Sequence, residues 1–146
     1  MRRLFRHNAA LGFAAALLGL SGEALAWSDN NYAGFRIGDA DADRYLSRAW
    51  QVCIDGAVST ADMRDCSAAE YRRLDRRLNQ VYRDRMTRLA APARIRLRDV
   101  QRAWLRVRFD HCSDGATGGT ADLLNSDGCI QREVIRRIAW LERYRG

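Results

Sequence analysis

Cysteine, histidine, arginine and the acids are the residues of this chain that could do chemistry. Cys53, Cys66, Cys112 and Cys129 could oxidise to disulfides, hold zinc or supply a nucleophilic thiolate. Structural zinc takes cysteines about two to four residues apart. Here 12 residues separate the first two cysteines and 16 the last two. A thiolate nucleophile needs an imidazole facing it. The candidate, His111, directly precedes Cys112, and adjacent helical residues point apart. Two disulfides are the chemistry these spacings favour, and four cysteines allow three pairings.

All 25 basic residues are arginine, so no lysine amine exists for Schiff-base or general-base chemistry. Arg94, Arg98, Arg102 and Arg106 recur every fourth residue. They form one ridge of a helix that could grip wall phosphates, acidic headgroups or nucleic acid. Interleaved Asp99 offers the competing reading, a solvated salt-bridged face. Asp39, Asp41 and Asp43 echo a calcium loop, but Arg44 replaces the turn glycine and Trp50 the bidentate glutamate. The remaining acids are scattered among arginines, unlike the paired carboxylates of an acid–base enzyme. The expectation is therefore no catalysis, no metal and no cofactor.

These residues need elements to position them. Arg2, Arg3 and Arg6, then the twelve apolar-rich residues Ala9 to Leu20, then Ala24-Leu25-Ala26, read as a cleavable export signal over residues 1–26. The run is too short to span a bilayer, which takes about 20 helical residues. The residue directly after the cut is Trp27 and not cysteine, which argues against a lipid anchor, and the mature chain is expected to be periplasmic or secreted with no transmembrane segment. Losing Arg2, Arg3, Arg6 and Glu23 lowers the net charge from +7 to +5.

Residues 27–44 are rich in Gly, Asn and Asp and read as an extended arm; residues 45–146 read as one helical domain. A short helix covers Tyr45 to Cys53. After the Ser59 start box a long helix runs to about Leu89, with Met63, Cys66, Glu70, Leu74, Leu78, Val81, Arg85 and Leu89 along its inner face. Pro92 opens a third helix to about Cys112, inner face Leu97, Val100, Gln101, Trp104, Leu105 and Arg108. Ser113 to Gly128, with four glycines and Asp114, Asp122 and Asp127, reads as a loop. A last helix starts at about Cys129 and buries Ile130, Val134, Ile138 and Leu141.

The expected fold is all-α: an antiparallel hairpin of two long helices braced by two shorter ones. In that arrangement Cys53–Cys66 and Cys112–Cys129 each pin a short helix to a long one. Each closes about fifteen residues, worth roughly 3 kcal/mol. On the third helix, Trp104 is expected in the core, Gln101 bonded to the long helix, and Arg108 paired with a buried acid such as Asp75.

The ordered fragments Cys53…Met63-Arg64-Asp65-Cys66, Glu70-Tyr71, Asp75, Leu78-Asn79, Tyr82, Gln101-Arg102-Ala103-Trp104, Arg108, Cys112, Gly118-Gly119-Thr120, Cys129, Arg137 and Leu141 resemble the lysozyme inhibitor LprI-like family of small secreted bacterial domains. Phe109 and Val134 depart from it, standing where Asp and Thr are common. The resemblance implies an exported helical domain with cysteine staples and, by the family's name, lysozyme inhibition. The expected function is a non-enzymatic binding protein that occludes lysozyme or another peptidoglycan hydrolase. Thr117, Gly118, Gly119, Thr120 and Asn125 on the stapled loop are its contact candidates. The alternative is an envelope structural or anionic-ligand module using the arginine ridge, and export argues against nucleic acid as partner. Non-reducing peptide mapping is expected to recover Cys53 joined to Cys66 and Cys112 joined to Cys129; Cys53 linked to either later cysteine refutes the pairing.

Overall fold

The computed structural model describes residues 35–113 and 117–146. The export signal, the start of the arm and Asp114 lie outside the described residues. Among the described residues five helices follow one another: α1 Asp39–Asp43, α2 Arg48–Asp55, α3 Thr60–Arg88, α4 Ala91–Ser113 and α5 Thr120–Arg143. The fold is all-α, with no strand among the described residues.

Each long helix starts where its sequence satisfies orphan backbone donors. At α3 the Ser59 hydroxyl accepts from the Asp62 N–H at 3.1 Å, and the Asp62 carboxylate accepts from the Val58 N–H at 3.2 Å. The α3–α4 turn places Pro92 in the first turn of α4, where a missing N–H leaves no intrahelical bond unmade. At α5 the Asp122 carboxylate accepts from the Thr117 N–H at 2.7 Å, the Thr117 hydroxyl at 2.8 Å and the Gly119 N–H at 3.3 Å. Those bonds, the Thr117 hydroxyl foremost, hold its carboxyl below the usual range.

That cap corrects the expected loop. The last helix begins at Thr120, not near Cys129, so Thr120, Asn125, Asp127 and Gly128 are helical. Gly118, at φ +92°, makes the entry turn that only glycine takes without strain. A Cβ on Gly128 would meet nothing nearer than the Arg132 guanidinium at 3.8 Å. Glycine there costs only helix propensity, about 1 kcal/mol.

The last helix is also the central one. It packs against α3, α4 and α1, and α3 and α4 approach it more closely than they approach each other. Val134, Ile135, Ile138 and Leu141 are buried along it, together with Gln131, Glu133 and Arg137. Arg64 meets Asp127, the Gln131 amide donates to the Ser67 carbonyl, and Arg77 meets Glu142. Partner numbers rise together, so α3 and α5 run parallel, with α4 returning antiparallel beside them. From α3, Cys66, Glu70, Leu74, Leu78 and the following Leu89 face the core as their spacing predicts.

α2 folds back antiparallel on α3. Cys53 is bonded to Cys66 with Cα atoms 5.7 Å apart, and Cys112 to Cys129 at 5.6 Å. Glu70, 3 % exposed, accepts from the Ser47 N–H at 2.8 Å and the Ser47 hydroxyl at 2.7 Å, with Arg73 as counter-charge. Ser47 also caps α2 by accepting from the Trp50 N–H. The arm departs from its extended reading. Residues 39–43 form a helical turn because Ala42 is buried, Phe35 and Ile37 lie on the core, and the Arg143 guanidinium sits 5.0 Å from the Phe35 ring. Burial, then a 2.7 Å hydrogen bond to Glu142, pushes the Tyr45 phenol up to about 12.

Burial alone would raise the Glu70 carboxyl, but the hydrogen bonds from Arg73 and Ser47 outweigh it and hold the group below its usual range. A depressed native pKa adds stability above the ordinary glutamate value of about 4.3 that disappears as pH falls through the native value. Thermal melts of Glu70→Gln should fall below wild type at neutral pH and converge with it in acid. Parallel curves across that window would contradict this role.

Candidate functional site

Asp75, Asn79, Gln101, Trp104 and Arg108 of the ordered motif form one connected network that runs through Arg137. Asn79 donates to the Asp75 carbonyl at 2.9 Å and to its carboxylate at 3.1 Å. Asp75 in turn faces the Arg108 guanidinium at 3.8 Å. Arg108 lies 5.0 Å from the ring centre of Trp104 and 4.6 Å from that of Phe109. On the inner side of Trp104 lies Arg137, 5.4 Å from the indole, and its Nε donates to Gln101 Oε1 at 2.8 Å.

Trp104 is in the core as expected. Gln101 bonds to α5 and not to the long helix, because α5 offers it a buried guanidinium. Asp75 is not a buried acid, with 37 % of its side chain exposed. Neither Nε nor Nη1 of Arg108 makes a hydrogen bond; the Trp104 and Phe109 rings, the Asp75 carboxylate and Tyr71 surround the guanidinium. Arg137 was missed as a site residue although its place in the ordered motif marked it; nothing in the local pattern distinguishes it from the solvent-facing arginines nearby.

Beside Arg108 a cleft of about 260 Å³ opens between α3, α4 and α5. Ala68, Tyr71, Phe109 and Ile130 give it an apolar lining, and the Arg64–Asp127 ion pair closes at 3.1 Å on its rim. Burial pushes the Tyr71 phenol up. Phe109, a departure from the motif, thus replaces a polar position with part of a hydrophobic wall.

The contact candidates separate. Thr117, Gly118, Gly119 and Thr120 are exposed together at one end of the bundle, at the tip formed where α5 begins. Asn125 is also exposed, but five residues along a helix turns it about 140° away from Thr120. Leu123, 42 % exposed, lies beside the tip and was not singled out by its sequence. The tip is fixed by the Asp122 cap and, at the third turn of α5, by the Cys112–Cys129 bridge to the end of α4.

The ridge residues Arg94, Arg98, Arg102 and Arg106 are all exposed on α4. Arg94 donates to the Leu89 carbonyl at 3.1 Å, and Arg98 meets Asp99 at 3.5 Å. Leu105, expected inside, is 43 % exposed, because Trp104 and Arg108 occupy the inner face. Among the described residues no three His, Cys, Asp or Glu side chains gather to hold a metal, and no helix is long and apolar enough to cross a membrane.

A family model described as lysozyme inhibitor LprI matches residues 53–141, a span that contains all four cysteines and the whole network. No curated protein and no solved structure matches the chain. Within that span Gln101→Leu should destabilise by about 1.5–3 kcal/mol, since it removes a hydrogen bond to a buried charge. Gln101→Glu, which keeps an acceptor, should lose less in urea unfolding. Equal losses would show that packing, not the bond, sets the cost.

Proposed function

Because the chain belongs to the lysozyme inhibitor LprI family, we propose that it is an exported, non-enzymatic binding protein that occludes lysozyme or a related peptidoglycan hydrolase. The observation that carries this reading is the family match across 53–141. Two disulfides suit an oxidising compartment outside the cytoplasm. Non-enzymatic action accords with acids engaged in caps and ion pairs: Glu70 with Arg73, Asp122 in its cap, Asp127 with Arg64.

A retaining glycosidase presents two carboxylates in a groove shaped for sugar. An occluding partner must insert something narrow and rigid. The Thr117–Thr120 tip has small side chains, is held by the Asp122 cap, and carries Leu123 beside it as an apolar anchor. The Asp122 charge is already engaged in the cap, so it does not stand free toward an incoming cleft. At long range the mature charge of +5 opposes a cationic lysozyme, so association with such an enzyme should quicken as salt screens the repulsion.

Turbidity clearance of cell walls by lysozyme should slow in the presence of excess mature protein. Undiminished lysis sinks the reading for that lysozyme class. Leu123→Asp places an acid in the first turns of α5, where it favours the helix, so folding is retained. Inhibition should nonetheless weaken at least about tenfold if Leu123 is an anchor.

A further inference from the structure

Helix α4 is apolar on two sides. Ala93, Leu97 and Trp104 face the core. Of the seven large hydrophobic residues exposed among those described, four also lie on this helix: Ile95 at 51 %, Leu105 and Phe109 at 43 %, and Val107 at 37 %. Ile95, Arg98, Arg102 and Leu105 follow steps of three and four residues, and Phe109, which also walls the cleft, ends that row. With Arg106 they fall within about a third of the helix circumference, on the side opposite the core. Over its length α4 carries six arginines against Asp99 and Asp110.

We infer that this outer face of α4 is a docking surface for anionic phospholipid bilayers. The occupant follows from the two chemistries that share the face. An apolar stripe alone would suit a second copy of the chain, but two such faces would oppose rows of arginines. A soluble polyanion would satisfy the arginines yet leave Ile95 and Leu105 in water. A bilayer interface accepts both: the apolar side chains enter the acyl boundary while the guanidinium groups remain among the phosphates. Each arginine held near an anionic surface strengthens the attraction, which salt weakens. The helix would lie along the interface with no crossing segment, anchored from behind by Trp104 and by Cys112–Cys129. This surface is distinct from the Thr117–Thr120 tip, so it holds whether or not a lysozyme is bound.

Co-sedimentation of the full mature chain with vesicles tests it. The protein should pellet with phosphatidylglycerol-containing phosphatidylcholine vesicles, not with phosphatidylcholine alone, and be released by salt. Arg98→Glu with Arg102→Glu should weaken partition at least about tenfold. Ile95→Ser with Leu105→Ser, both at exposed positions that leave the helical circular dichroism unchanged, should also weaken it about tenfold. No association with the anionic vesicles overturns the inference. So does a serine pair that binds them as tightly as wild type, which would indicate a polyanion grip instead.

Discussion

A guanidinium with no exposure to water, that of Arg137, sits in the C-terminal half of α5, the helix against which α1, α3 and α4 pack. Removing such a charge from solvent costs several kcal/mol unless hydrogen bonds and rings replace the water. Arg137 obtains them from its own helix, through Trp140 at 4.2 Å, and from α4, through Gln101 and Trp104. These contacts are possible at one register of α4 against α5. Trp104 then has Arg108 5.0 Å from its ring, and Arg108 reaches Asp75 on α3. Three helices are therefore positioned around one buried charge, and the aliphatic side chains Leu74, Leu78, Leu97, Val134 and Ile138 fill the space around it. Apolar packing alone tolerates several registers; a charge that must be satisfied tolerates few.

The two disulfides act away from this centre. One ties α2, a helix without buried residues, to α3; the other ties the end of α4 to the third turn of α5. They hold the parts that the core does not grip. The two surfaces proposed for partners lie in the same outlying regions: the small-residue tip at the start of α5 and the outer side of α4.

The α3 inner face was legible because its buried positions, Cys66, Glu70, Leu74 and Leu78, recur every fourth residue with arginines between them. Leu105 misled because it continues the apolar run after Trp104, yet helix geometry can turn only one of two neighbours inward. The start of α5 was hidden by composition: glycines and aspartates suggest a loop, while the decisive signal is Asp122 bonding back to Thr117. Gln101 could have bonded to either neighbouring helix, and its true partner required knowing that α5 lies in the middle. Arg137 was visible only as a member of an ordered motif. A buried arginine and a solvated one have the same side chain, and packing alone separates them.

The parallel pairing of α3 with α5 carries a consequence for how the chain acquires its shape. Ser67 and Gln131 are 64 positions apart, and Arg77 and Glu142 are 65 apart, whereas Ser47 and Glu70 are separated by 23. The local hairpin of α2 and α3 can close early, but the main interface must wait for the return helix to be made and turned. During synthesis from the N-terminus, α3 and α4 emerge with their inner faces uncovered until the last 24-residue helix arrives. The fold is thus completed from its C-terminal end, and a nascent chain lacking α5 presents Leu74, Leu78, Leu97 and Trp104 to whatever else is nearby.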